Sequence, residues 1–139
     1  MEYVTLTRLI EKMKLVNLTP ELEVKGIKLR QPDINRPALQ MTGYLKHFDS
    51  SRLQIIGFVE HSYFSELDEE RKREVCDELM GYDIPAFVFC RELQPDPVFL
   101  EESISHQIPI LSTKKTTSSF MAESIRWLKY QNAPPVPPE

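Results

Sequence analysis

The chain has 139 residues, enough for one domain with a buried core, and its 41% apolar and 27% charged residues are typical of an ordinary globular protein. No apolar run approaches the ~20 residues that cross a bilayer, and residues 1–15 mix acids and bases among apolar positions, so we expect neither a membrane span nor a signal peptide. The net charge is −4 and no basic stripe is present, which argues against nucleic-acid binding.

The N-terminal part of the chain predicts one helix and two short strands. Apolar residues recur there at the spacing of one helix face: Leu6, Leu9, Ile10 and Met13. Thr5 stands where an N-cap is expected. Residues 15–19 and 26–33 have the composition of strands, and a polar turn separates them.

Residues 33–45, DINRPALQMTGYL, are predicted to connect two strands. Pro37 can occupy a first helical turn, where its missing N–H costs nothing. A short helix is therefore expected over residues 38–45, weakened by Gly43. The stretch contains an acidic residue, an Arg-Pro pair and a Gly-Tyr pair, which a loop that only connects two strands does not need. It is therefore a candidate binding segment.

The rest of the chain alternates between compact apolar runs and amphipathic segments. Buried strands are expected over residues 52–58, 84–91 and 108–113. Helices are expected over residues 62–67, 68–81, 96–108 and 116–131, with Gly81 as a C-cap. Strands that alternate with helices in this way favour a small three-layer α/β domain, with a mostly parallel sheet flanked by helices.

The C-terminal sequence APPVPPE, residues 133–139, is predicted to be an extended, semi-rigid linker after a domain that spans residues 1–132. A Pro-rich segment after the last helix is typical of a domain boundary. A ligand for a proline-binding module, and hence an interaction scaffold, is the alternative interpretation.

Motifs for self-contained catalysis are missing from the sequence. Its four glycines are scattered, so no phosphate-binding Gly-rich loop is present, and its three histidines are far apart. Cys76 and Cys90 form no C-x-x-C pair, and we interpret both as reduced core residues of a cytoplasmic protein. We therefore predict no catalytic residue, bound cofactor or metal ligand in this chain.

Asp33, Arg36 and Tyr44 form the first candidate ligand or interface cluster. In the functional interpretation Arg36 holds an anion while Asp33 orients its guanidinium. In the structural interpretation the cluster is an ion pair that fixes the loop against the end of the sheet.

Glu60 and Ser62 form the second candidate cluster, together with His61. They follow a predicted strand, where open α/β sheets commonly bind ligands. Alternatively, Ser62 caps the next helix and His61 lies beside it on the surface. Lys114 and Lys115 precede the last helix and could attract an anion, or could belong to a solvated loop.

Four stretches resemble the N-terminal domain of bacterial HPr kinase/phosphorylase: DINRPALQMTGYLKHF, RLQIIGFVEHSYFSEL, PAFVFCRELQPDPVFLE and IPILSTKKTTSSFMAESIRWL. The most specific blocks are D-x-x-R-P…G-Y, from Asp33 to Tyr44, and G-x-x-E-x-S-Y, from Gly57 to Tyr63. Their order and spacing match the family over nearly the whole chain.

The resemblance implies a fold similar to the Mur ligase N-terminal domain and a non-catalytic, regulatory role. Family members use ATP and Mg to phosphorylate a serine of HPr, the phosphotransferase-system carrier, and reverse the reaction by phosphorolysis. That chemistry belongs to a C-terminal kinase domain, so no catalytic residue is carried over to this chain. The implied partners are that domain, HPr through it, and a second copy in a homo-oligomer. A standalone anion or metabolite sensor, or a protein-interaction module, is the alternative function.

Overall fold

A computed structural model of the chain describes residues 3–132, so the predicted linker at 133–139 lies outside the described residues. The helices are α1 Leu6–Met13, α2 Ala38–Met41, α3 Phe58–Ser65, α4 Glu69–Met80, α5 Pro97–Ser105 and α6 Thr117–Asn132. The strands are β1 Val4–Thr5, β2 Val16–Asn17, β3 Lys28–Leu29, β4 Ile34–Asn35, β5 Leu53–Ile56, β6 Phe87–Phe89 and β7 Ile110–Ser112.

The main sheet has five strands in the order β2-β7-β6-β5-β4. Its four neighbours β4, β5, β6 and β7 are parallel, whereas β2 pairs antiparallel with β7 and forms one edge. A separate antiparallel ribbon joins β1 to β3. The mostly parallel α/β architecture predicted from the alternating strands and helices is therefore confirmed.

The two faces of the main sheet carry two separate hydrophobic cores. In β6, Val88 packs into the core on one side, and Phe87 and Phe89 pack into the core on the other, because successive strand residues point to opposite faces. The first core includes residues of α1, α6 and the ribbon, and the second includes residues of α2 to α5. This arrangement gives the three layers.

Short polar side chains cap the starts of α1, α4 and α5. Thr5 accepts a hydrogen bond from the backbone N–H of Arg8, which confirms it as the N-cap of α1. Asp68 and Asp96 cap α4 and α5 in the same way, and each accepts a backbone N–H at 2.8 Å. Each cap satisfies a donor that the helix itself leaves without a partner.

Three boundaries differ from the sequence-based prediction, and one of them belongs to the helix expected over residues 38–45, which ends at Met41. Residues 33–45 do not serve only as a connector, because Ile34 and Asn35 form the outer parallel strand β4 beside β5. The strand predicted over residues 26–33 is reduced to β3. A two-residue strand is too short to show the alternation of apolar and polar residues that identifies a strand in a sequence. Such a strand is defined only by its pairing with a neighbouring strand.

The start of α3 was also predicted wrongly. The helix begins at Phe58 instead of residue 62, with Gly57 as its N-cap. The Glu60 side chain accepts a hydrogen bond from the backbone N–H of Gly57, which is one of the two hydrogen bonds of a capping box. The other bond needs a side-chain acceptor at the N-cap, which glycine lacks. Ser62 consequently lies inside the helix and does not cap it.

Cys76 and Cys90 are both buried and carry free thiols, as predicted. Burial raises the pKa of Cys76 from 9.0 to about 12 and that of Cys90 from 9.0 to about 11. The folded state therefore keeps these thiols protonated at a pH where an unfolded chain ionises them.

We expect this difference to make the chain less stable at high pH. The raised pKa values contribute to the free energy of unfolding. This contribution is complete below about pH 9 and is lost as the pH rises toward 11–12. Urea unfolding at pH 7.5, 9 and 10.5 would measure it, with Cys76→Ala/Cys90→Ala as control. The wild-type protein should lose more of its free energy of unfolding than the variant, and equal losses would contradict the prediction.

Candidate functional site

The carboxyl ends of the four parallel strands meet at one edge of the sheet, which we call the carboxyl edge. Arg36 follows β4, Gly57 follows β5, Cys90 follows β6 and Thr113 follows β7. In open α/β sheets, ligand and contact residues are concentrated at this edge. The fold therefore brings together residues from the two candidate clusters that are far apart in sequence.

Arg36 and Glu60 form the ion pair at the centre of the carboxyl edge. Arg36 Nη2 lies 2.7 Å from Glu60 Oε1, and the same oxygen accepts the backbone N–H of Gly57 at 2.8 Å. The carboxylate of Glu60 is buried, with 1% of the residue exposed, whereas the Arg36 side chain remains partly accessible. One buried carboxylate thus links the end of β4 to the first turn of α3.

Gly57 is required by close packing and not by its backbone angles. Its φ of −105° is extended and open to any residue. A Cβ at this position would lie 2.6 Å from Arg36 Nη2 and 2.6 Å from Thr117 Oγ1. Because Gly57 has no side chain, two groups can come close to the end of β5. These are the Arg36 guanidinium, which follows β4, and Thr117 at the start of α6.

A buried amide network lies next to this ion pair. The Asn35 side-chain amide donates to Gln40 Oε1 at 3.1 Å and to Gln54 Oε1 at 2.8 Å, and Gln54 donates to the Arg52 carbonyl. Gln54 is fully buried in the middle of the sheet. The network was missed from sequence, although a glutamine within the apolar run RLQIIGF was a visible signal.

The remaining predicted site residues lie away from the pair. Asp33 does not orient Arg36; its nearest cation is Arg52, with Oδ2 and Nη2 3.9 Å apart. Tyr44 is exposed and follows Gly43, which lies beside α4. Within residues 3–132, neither Tyr44 nor Ser62 has a side-chain hydrogen bond to another described residue. The fold unites Arg36 with Glu60 and leaves Asp33, Tyr44 and Ser62 outside that contact.

Large apolar side chains are exposed around the Arg36–Glu60 pair. Phe58 and Val59, in the first turn of α3, are 63% and 61% exposed, and Leu39 of the neighbouring α2 is also exposed. Exposed apolar residues that lie together on a surface commonly mark an interaction site. We call these three residues the apolar patch.

A second feature, which we call the basic cleft, lies beside the outer strand β2, between the end of α1, β2, the carboxyl end of β7 and α6. It encloses about 870 Å³, within the size range of small-molecule sites. Its lining residues are Lys12, Met13, Lys14, Val16, Glu92, Ser112, Thr113, Lys114, Lys115, Glu123, Arg126, Trp127 and Tyr130. Of these, the sequence analysis singled out only Lys114 and Lys115 as candidate anion-binding residues.

The lysines before α6 have acidic neighbours in the cleft. Lys114 Nζ lies 3.6 Å from Glu92 Oε1, and Lys115 Nζ lies 3.0 Å from Glu123 Oε2. Both pairs are substantially solvent-exposed, so each contributes little to stability and can be rearranged. Four other lining residues share one face of α6, and their spacing in the sequence could have identified them. They are Glu123, Arg126, Trp127 and Tyr130.

The part of the chain that the structure describes offers neither a metal site nor a membrane-spanning helix. No group of three or more histidine, cysteine or acidic side chains there is arranged to hold a metal ion. No helix within residues 3–132 combines the length and the apolar character needed to span a bilayer.

Comparison with known proteins identifies the family. Residues 4–128 match the family described as HPr Serine kinase N terminus. The chain belongs to this family. The HPr kinase/phosphorylase of Lachnoclostridium phytofermentans is 49% identical over 131 residues, and that of Caldicellulosiruptor bescii is 31% identical over 134 residues. These matches cover 94% and 96% of this chain but 42% and 43% of the relatives, so the chain spans less than half of their length.

A solved structure shares the fold of this HPr serine kinase N terminus. It contains the CBS and DRTGG domains of the regulatory region of Clostridium perfringens pyrophosphatase, complexed with the activator diadenosine tetraphosphate. The TM-score is 0.57, with 14% sequence identity, over 89% of this chain and 47% of that chain. At this identity the similarity shows a common fold.

Proposed function

We propose that this chain is the non-catalytic, regulatory N-terminal module of a bifunctional HPr serine kinase/phosphorylase. The observation that carries the proposal is the match of residues 4–128 to the N-terminal family, with relatives that continue well beyond the matched segment. The buried carboxylate at the carboxyl edge is engaged in structural contacts, since Glu60 binds Arg36 and the N-terminus of α3. ATP and Mg would then take part in catalysis only in the full-length enzyme.

The carboxyl edge is proposed as the surface through which the module contacts its own C-terminal kinase domain, and HPr through that domain. The apolar patch supports this assignment because exposed apolar side chains gain free energy when a partner covers them. Arg36, still partly accessible, would add a charged contact beside the patch. Asp33, Tyr44 and Ser62 stay candidate rim positions of the same interface, and a homo-oligomer is an alternative use of it.

A chimera would test this function. The matched 131-residue segment of the Lachnoclostridium relative is replaced by this chain, and kinase and phosphorylase rates on HPr are measured with and without Phe58→Ser/Val59→Ser. We expect an active chimera in which the double substitution changes the ratio of the two rates by at least about two-fold. Because both side chains are exposed, its stability should change by less than about 0.5 kcal/mol. An unchanged ratio would contradict the proposed contact surface.

A metabolite-sensing role is the second candidate function, and the basic cleft is the observation that favours it. Five cationic residues and two acidic residues line one cavity in a chain whose net charge is −4. The Arg36 cluster is a weaker candidate for an anion site because Glu60 already occupies its guanidinium. A cytoplasmic location belongs to the same proposal, and two free buried thiols are compatible with a reducing compartment.

A further inference from the structure

Helix α6 has two adjacent stripes with different chemistry. One stripe enters the hydrophobic core and includes Phe120 and Leu128. The other comprises Glu123, Arg126, Trp127 and Tyr130, at positions i, i+3, i+4 and i+7, and lines the basic cleft. A helix that only covers a sheet needs the first stripe. The second combines charged and aromatic residues around a cavity, a composition that suits a polar ligand with an apolar part.

The cleft has uncompensated positive charge. Lys114 and Lys115 have acidic neighbours, but Lys12, Lys14 and Arg126 form no ion pair with any other residue of the described range 3–132. Like charges gathered around one concave surface repel one another and attract an anion. Ser112 and Thr113, two residues with hydroxyl groups, line the same cavity.

Lys14 is held in a backbone conformation that a lysine disfavours. It follows α1 with φ 54° and ψ 45°, in the left-handed region, and the N–H of Leu15 closes the helix end on the Ile10 carbonyl. Glycine is the usual residue at this helix-terminating position because it has no Cβ penalty there. The chain instead carries a cation that lines the cleft.

Two aromatic residues, Trp127 and Tyr130, line the cleft. Trp127 is partly buried, and the Arg8 guanidinium lies 5.8 Å from its ring centroid, a contact that restrains the indole. Tyr130 is 78% exposed and Val16 is 59% exposed, although both line the cavity. A planar, partly apolar group in the cleft would cover these side chains.

We propose that the basic cleft is a nucleotide-binding site, with the phosphates near Lys12, Lys14 and Arg126 and the base against Trp127 and Tyr130. A volume of about 870 Å³ exceeds the needs of an inorganic ion or a simple sugar phosphate and accommodates a base, a ribose and several phosphates. The lining of the cleft includes neither the Arg36–Glu60 pair nor any residue of the apolar patch, so the site is distinct from the proposed contact surface. It is tested on this chain alone and does not depend on the kinase assignment.

Intrinsic fluorescence provides a direct measurement because Trp127 is the single tryptophan of the chain. The full chain is titrated with ATP, ADP or GTP, with excitation at the red edge of indole absorption, and binding is repeated by calorimetry. Adenosine, tripolyphosphate and fructose 1,6-bisphosphate serve as probes of the base, the phosphates and a non-aromatic phosphate ester. We expect saturable quenching by at least one nucleotide and affinity at least about ten-fold weaker for all three partial probes.

Two substitutions assign the binding to the cleft. Arg126→Ala should weaken nucleotide binding at least about five-fold, because it removes a charged phosphate contact. Lys129→Ala is the matched control: it removes one positive charge from an exposed position of the same helix, outside the cleft lining, and should change affinity less than about two-fold. Lys14→Gly should weaken binding while raising the unfolding midpoint, because it relieves the left-handed lysine.

Three results would overturn the proposal. The first is no saturable signal with any of the three nucleotides up to about 5 mM, by fluorescence and by calorimetry. The second is tripolyphosphate binding as tightly as ATP, which would assign the cleft to inorganic polyanions. The third is an equal loss of affinity in Arg126→Ala and Lys129→Ala. None of these results would affect the contact surface at the carboxyl edge, which is tested separately in the chimera.

Discussion

Gly57→Ala is expected to lower the free energy of unfolding by about 2–3 kcal/mol, because the new methyl group has no space. Its Cβ would lie 2.6 Å from Arg36 Nη2 and from Thr117 Oγ1, well inside van der Waals contact. Both atoms end a side chain, so relief requires Arg36 to move its guanidinium away from Glu60 and Thr117 to turn its hydroxyl away from the end of β5. Urea unfolding followed by circular dichroism would measure the loss.

Gly26→Ala provides the control for this prediction. Gly26 has φ +90° and no atom within 4 Å of a built Cβ, so alanine there costs backbone strain of about 1 kcal/mol without crowding. In an Arg36→Ala background, Gly57→Ala should cost less than in the wild-type protein, because one of the two crowding atoms has been removed. Equal costs in both backgrounds would contradict the assigned packing.

Glu60→Ala is expected to lower the free energy of unfolding by about 3 kcal/mol. It removes the acceptor of two donors at once, the Gly57 backbone N–H at 2.8 Å and the Arg36 guanidinium at 2.7 Å. Glu60→Gln retains an oxygen for both donors and loses only the charge. It should therefore cost about half as much, since Arg36 is partly screened by solvent.

Glu66→Ala is the matched control for the Glu60 series. Glu66 is exposed at the end of the same helix, and its side chain forms no hydrogen bond or ion pair with another residue of the described range 3–132. Its replacement should change stability by less than about 0.5 kcal/mol. A Glu60→Ala variant as stable as Glu66→Ala would show that the buried carboxylate does not hold the end of β4 to α3.

Several parts of this fold could be predicted from sequence because the signals are local. The runs that became β5, β6 and β7 are continuously apolar, as expected for strands buried on both faces, and each is followed by a helix with its own cap. The helix ends at Thr5 and Gly81 were placed correctly for the same reason. Their physical causes lie within a few residues of the element itself.

The parts that were missed depend on contacts between distant segments. Arg36 was assigned to Asp33, three residues away, whereas its partner is Glu60, 24 residues away and brought close by the pairing of β4 with β5. The short strand β4 has no pattern of its own. The basic cleft gathers residues from α1, β2, β7 and α6, and the sequence analysis identified only Lys114 and Lys115 among them as candidate anion-binding residues.

The central claim is that this member of the HPr serine kinase N-terminus family regulates phosphoryl transfer and does not perform it. The most direct measurement is the rate of ATP-dependent serine phosphorylation of HPr by the isolated chain, with the full-length Lachnoclostridium relative assayed in parallel. The account predicts phosphorylated HPr with the relative and none above background with the isolated chain. Phosphorylation of HPr by the isolated chain would contradict it.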